Sequence, residues 1–146
     1  MSSILETLSQ DHRRCDEVFV AAENACAEGD WGLAGSQGQA FFQAMEHHFR
    51  IEEQVLFPAF EAVTGMTMGP TEVMRGEHAQ MRELFREMGE ALEAQDADSY
   101  LGLSETLLMI MQQHNAKEEQ MLYQMADQVL AGQVDDLLRQ MADLDG

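Results

Sequence analysis

His48 and Glu52 stand four residues apart in the segment HHFRIEEQVLFP, and His114 and Glu118 stand four apart in QHNAKEEQMLYQ. On a helix, side chains at that spacing share a face, with Cβ atoms roughly 5–6 Å apart, so each pair can address one point in space. Imidazole and carboxylate together form a donor set for divalent transition ions. A single HxxxE is a frequent accident of helical sequence. Two copies on apolar seams are another matter, because an isolated carboxylate moved into a dry core costs several kcal/mol or takes up a proton.

The two segments are related by a shift that carries 48 onto 114, an offset of 66 residues. The same shift carries His12 onto His78, Glu17 onto Glu83, Phe19 onto Phe85, Glu53 onto Glu119, Gln54 onto Gln120, Leu56 onto Leu122 and Phe57 onto Tyr123. One constant offset across two helices and the loop between them predicts two helical hairpins related by a pseudo-twofold axis. His12 and His78 then complete a layer of four imidazoles and two carboxylates. That is too many donors for one tetrahedral ion. It suits two ions bridged by Glu52 and Glu118, each ion holding two histidines and keeping coordination positions open. Such a set favours iron, with manganese or zinc as alternatives.

The elements that must position these residues are long helices. Stretches rich in Ala, Glu, Leu, Met and Gln predict helices at about 3–28, 36–62, 70–94 and 98–129, with a short fifth at about 132–143. Glycines from Gly29 to Gly38 mark the first joint, with Trp31 in that loop; Pro70 suits a helix start, and Asp98 or Ser99 suits an N-cap. Apolar residues step by three and four along each helix, as in Leu5, Leu8, His12, Cys15, Phe19 and Ala22, or Leu107, Met111, His114, Glu118, Met121 and Met125. No strand pattern competes. The fold class is all-α, a four-helix bundle with a short C-terminal fifth helix, and the length of 146 residues predicts one domain.

Composition removes several function classes. The chain carries 27 acidic against 8 basic residues, a formal net charge of −19, which repels nucleic acid and anionic lipid. No stretch reaches the length of a membrane span and the N-terminus has no apolar leader, so the expected location is cytoplasmic. Cys15 and Cys26 match no zinc or redox spacing, and Cys15 is expected to be a packed, inert thiol near the centre. Ferritin-like chemistry needs Glu-x-x-His on two helices, and no histidine here has a glutamate three residues before it.

His12, HFRIEE from His48, EH at His78 and HxxxE at His114 resemble the hemerythrin-like, HHE cation-binding family over essentially the whole chain. The resemblance implies an up-down-up-down bundle with a non-haem, oxo- or hydroxo-bridged di-iron centre. Its ligands would be His12, His48, His78 and His114, with Glu52 and Glu118 bridging. The oxygen-carrying members have a fifth histidine one turn from the third-helix histidine, where this chain has Met74 and Arg82. The pattern is more similar to the iron-centre repair proteins of the superfamily, which handle nitric oxide and iron.

The function expected is therefore a di-iron protein that engages dioxygen, nitric oxide or peroxide in sensing, scavenging, or iron supply and repair. The partners would be that small molecule and an electron donor or iron acceptor protein. The alternatives are a di-iron enzyme, reducing nitric oxide or peroxide with catalytic residues unassigned, and a structural di-zinc bundle. Glu53 and Glu119 either accept hydrogen bonds from neighbouring histidines or are solvated. His47, one position off the seam, is not expected to be a ligand. Phe57 and Tyr123 are read as packing, and the seam methionines as flexible core filler; the functional alternative is that Met45, Met74, Met81 and Met111 line an apolar pocket for a diatomic gas.

Overall fold

The structure, a computed structural model, describes residues 2–144. Its elements in order are α1 (Ile4–Ala27), α2 (Trp31–Ile51), a π-helical turn (Glu52–Leu56), α3 (Phe57–Thr64), α4 (Pro70–Glu93), α5 (Ala97–Lys117), a second π-helical turn (Glu118–Leu122), α6 (Tyr123–Val129) and α7 (Val134–Ala142). Each π-helical turn joins its two flanking helices into one continuous rod. Four rods result: α1, α2–α3, α4 and α5–α6. Each packs on its sequence neighbour through a short connection, α1 on α2 and α4 on α5, while α2 meets α4 and α1 meets α5 to close the square. This is the all-α bundle expected, with α7 as the short fifth rod packed against the first π-helical turn.

Helix starts are set by side chains that take over unpaired backbone N–H groups. Ser3 Oγ accepts from the Glu6 N–H at 3.0 Å, and the Asp127 carboxylate reaches across from α6 to accept from Ile4 at 2.8 Å and Leu5 at 3.1 Å. Two starts differ from expectation. The second helix begins at Trp31 and not near 36, because Asp30 caps it by accepting from the Leu33 N–H at 3.2 Å. The glycines beyond it are helical, and Gly38 admits Leu92 so closely that a Cβ there would lie 2.5 Å from Leu92 Cδ1. Trp31 is thereby a first-turn residue packed on the core. In the second hairpin Asp96 is the cap, accepting from Ser99 at 3.1 Å, and Asp98 lies inside the helix. Gly29 (φ 73°) and Gln95 (φ 52°), the two left-handed residues that end α1 and α4, are also separated by the repeat offset.

The core falls into two clusters. One lies toward the α1–α2 and α4–α5 connections and includes Cys15, Phe19, Phe41, Met81, Phe85 and Tyr100. The other lies toward the N-terminus and α7 and includes Ile4, Leu8, Phe57, Phe60, Met74 and Leu137. On α1, His12 sits between Leu8 of one cluster and Cys15 of the other; on α4, His78 sits between Met74 and Met81. A buried polar layer divides the apolar core. Met45, Met74, Met81 and Met111 are core filler, and as lining for one pocket they are split by that layer, with Met74 on one side and Met45, Met81 and Met111 on the other.

Candidate metal centre

All six residues singled out by spacing converge in the dividing layer. His12, His48, His78, His114, Glu52 and Glu118 are each at most 4% exposed. Their donor atoms form two groups, each with every atom within 4.8 Å of the others: Glu52, His78, His114 and Glu118 in one, and His12, His48 and Glu118 in the other. Glu118 belongs to both. Its Oε1 lies 3.1 Å from His12 Nε2, 3.2 Å from His114 Nε2 and 3.9 Å from His48 Nε2. Glu52 Oε1 lies 3.0 Å from His78 Nε2 and 3.5 Å from His48 Nε2.

Each of the four inner histidines is oriented by a carboxylate on its outer nitrogen. His12 Nδ1–H donates to Glu119 at 2.6 Å, His48 to Asp11 at 2.7 Å, His78 to Glu53 at 2.6 Å and His114 to Glu77 at 2.8 Å. Three of these carboxylates are themselves held by cations: Asp11 by Arg14, Glu53 by Arg82 and Glu77 by Lys117. With Nδ1 carrying the hydrogen, each neutral ring presents a bare Nε2 lone pair to the interior. Of the two alternatives for Glu53 and Glu119, the structure shows the hydrogen bonds to histidines. Asp11 and Glu77 were missed, although they are one repeat offset apart and immediately precede His12 and His78.

The layer fits a cation because its own atoms do not satisfy one another. His12 and His48 bring two Nε2 atoms within 3.1 Å, a contact between lone pairs unless a proton or metal lies between them. Glu52 Oε1, His78 Nε2, His114 Nε2 and Glu118 Oε2 are buried with no aligned hydrogen-bond partner, against the general rule for buried polar atoms. The electrostatics of the layer point the same way. Burial alone would keep His114 neutral, but Glu118 and Glu52 lift its pKa to about 9. Burial opposes charge on His48 and His78 too, yet the surrounding carboxylates push both upward. Of the two inner carboxylates, Glu52 is held up by burial and by the charge of Glu118. These carboxylates favour a positive charge on the imidazoles, whether proton or metal supplies it.

The π-helical turns do two jobs that an α-helical reading overlooks. Each begins at an inner glutamate and closes with a bond across five residues, Phe57 N–H to Glu52 O and Tyr123 N–H to Glu118 O. The extra residue advances the register, so Met121, expected on the seam, is 58% exposed while Leu122 is buried. It also swings residues 57 and 123 into the layer. Phe57 stacks beside His78 with ring centroids 5.7 Å apart. Tyr123, read from sequence as packing, places its hydroxyl 2.8 Å from Glu52 Oε2 and 2.9 Å from Glu118 Oε1.

The two halves differ in cover. Phe49 stacks on His78 at 3.9 Å, but its repeat counterpart is Asn115, which lines a cleft of about 570 Å³ that reaches His12. Asp16, Phe19, Met111 and Glu119 also line that cleft. His47 stays outside the layer and donates to the Leu144 carbonyl at 3.3 Å. Cys15 is a buried free thiol, its pKa pushed by burial to about 11, as an inert cysteine requires.

A family model described as the hemerythrin HHE cation binding domain matches residues 3–126. The chain belongs to that family. Searches of curated proteins and of solved structures returned no match. The matched span contains all six inner residues and all four outer carboxylates.

Asp11 and Glu77 supply a direct check. Asp11→Asn or Glu77→Gln removes the charge that fixes a histidine's tautomer, and each should weaken metal binding by about 10–100-fold. Competition against a chelator of known affinity measures this. Unchanged affinity in both variants would mean that these carboxylates serve the surface and not the centre.

Proposed function

We propose that this chain is a non-haem di-iron protein whose centre engages a small molecule, dioxygen, nitric oxide or peroxide, in sensing, scavenging, or iron supply and repair. One observation carries the reading: four inward imidazole Nε2 atoms and two buried carboxylates converge, and four of their buried atoms, on Glu52, His78, His114 and Glu118, have no aligned hydrogen-bond partner. His78, His114, Glu52 and Glu118 would hold one ion, and His12, His48 and Glu118 the other. An all-imidazole and carboxylate set without thiolate favours iron over the softer-ligand metals. When bound, iron supplies a redox-active centre with room for an external ligand.

The chain's own contribution is orientation and exclusion. The outer carboxylates keep each imidazole in the ligating tautomer. Phe49 and Phe57 pack against His78 and shield it from water, whereas the cleft over His12 leaves a path from solvent on the opposite side. A path of that kind suits a molecule of a few atoms or electron transfer from a partner protein. Cytoplasmic residence belongs to the same reading and agrees with two buried free thiols. Among the described residues no helix is long and apolar enough to cross a membrane.

The test is metal analysis joined to an optical spectrum on protein reduced without oxygen and then exposed to air. The reading expects two irons per chain and the return of near-ultraviolet and visible bands of a coupled ferric pair. Tightly held zinc with no colour change would replace it by a structural metal staple. Repeated turnover of nitric oxide or peroxide under a defined reductant would instead make the protein an enzyme.

A further inference from the structure

The Tyr123 hydroxyl faces more acceptors than one hydrogen can serve. Besides the two carboxylate oxygens, His12 Nε2 lies 3.1 Å and His48 Nε2 3.4 Å from it. A phenol has one O–H, which can donate to only one of these four atoms, and the imidazole contacts otherwise require a proton on Nε2. The arrangement makes sense as the edge pattern of a coordination shell. Donors about 2.1 Å from a common octahedral ion are about 3.0 Å from their neighbours, close to the separations seen among Tyr123 Oη, His12 Nε2 and Glu118 Oε1. The position is also specific to one half of the molecule. The repeat counterpart is Phe57, which has the same ring placement beside its own histidine and no oxygen.

From this geometry we infer that Tyr123 is a protein ligand to the ion held by His12 and His48, which makes the two metal positions chemically unequal. The inference rests on the proposed metal centre. On coordination the phenol oxygen forms a bond to the cation and its proton passes to solvent; no oxidation change is required. The ion held by His78 and His114 keeps only imidazole and carboxylate donors from the protein.

Iron-loaded wild-type protein examined by resonance Raman spectroscopy should show ring vibrations of a metal-bound phenolate, enhanced within a visible charge-transfer band. Tyr123→Phe should abolish those vibrations while keeping two irons per chain, and Tyr100→Phe, at the other buried tyrosine, should leave them intact. Should Tyr123→Phe fail to fold, the wild type and the Tyr100→Phe variant still decide the matter. A wild type that holds two irons with no phenolate signature overturns the inference and reduces Tyr123 to a hydrogen-bond donor, leaving the di-iron reading untouched. If the protein takes zinc and not iron, the di-iron reading fails separately. Loading zinc should then still produce the ultraviolet difference band of one ionised tyrosine, absent in Tyr123→Phe, and its absence from the wild type overturns the inference.

Discussion

Glu118→Ala should empty both metal positions at once, whereas His114→Ala should strip chiefly one. Glu118 is the one residue shared by the two donor groups, with histidines from both within 3.2 Å of its Oε1. His114 belongs to a single group and leaves His12, His48 and Glu118 in place. Loss of the shared carboxylate should exceed the ~10–100-fold weakening expected from the outer partners, so that dialysis against a mild chelator leaves less than one ion per chain. Glu118→Gln keeps the volume of a fully buried side chain and serves as the folding control, checked by circular dichroism. Mass-spectrometric metal counts on the variants decide the point. If Glu118→Ala retained the wild-type count, the shared-ligand geometry would be wrong.

The parts of this centre that sequence disclosed are those that obey helical periodicity or the repeat. His48 with Glu52 and His114 with Glu118 follow from four-residue spacing, and His12 and His78 follow from the constant offset. The offset extends beyond the inner residues. It relates Asp11 to Glu77 and the capping Asp30 to Asp96, and both pairs were there to be read. What periodicity hid is Tyr123. At about 100° per residue, five positions beyond Glu118 points roughly 140° away from it, so an α-helical wheel removes the ring from the site. Only a π-helical turn, with its bond across five residues, brings the two together. The same slip exposes Met121, which the wheel placed in the core. The misplaced start of the second helix has a different cause. Gly32, Gly35 and Gly38 look like loop residues by propensity, but the cap at Asp30 and the tight approach of Leu92 to Gly38 override that preference.

Removing both metal ions should lower the melting temperature by about 16–33 °C near neutral pH, and the gap should widen as pH rises. Free metal at about 1,000 times its dissociation constant stabilises by ~4.1 kcal/mol per site, and about 2–4 °C accompanies each kcal/mol in a domain of this size. The pH trend follows from which cation fills the layer. In metal-free protein His114 has a folded-state pKa of about 9 against an ordinary value of 6.5. A raised histidine stabilises fully below the unfolded value and loses that contribution as pH climbs through the folded one. His48 and His78 shift in the same direction. Metal-free protein should accordingly melt at lower temperature at pH 9 than at pH 6.5. Metal-loaded protein should move the other way relative to it, because protons and metal compete for the same Nε2 atoms and binding strengthens as the protons leave. Scanning calorimetry of both forms at the two pH values tests this. A metal-free melting temperature that stayed flat or rose across that window would mean that protons do not stand in for metal. The buried carboxylates would then have to be neutralised by their own protonation, and the inner histidines would be neutral rings in the folded, metal-free chain.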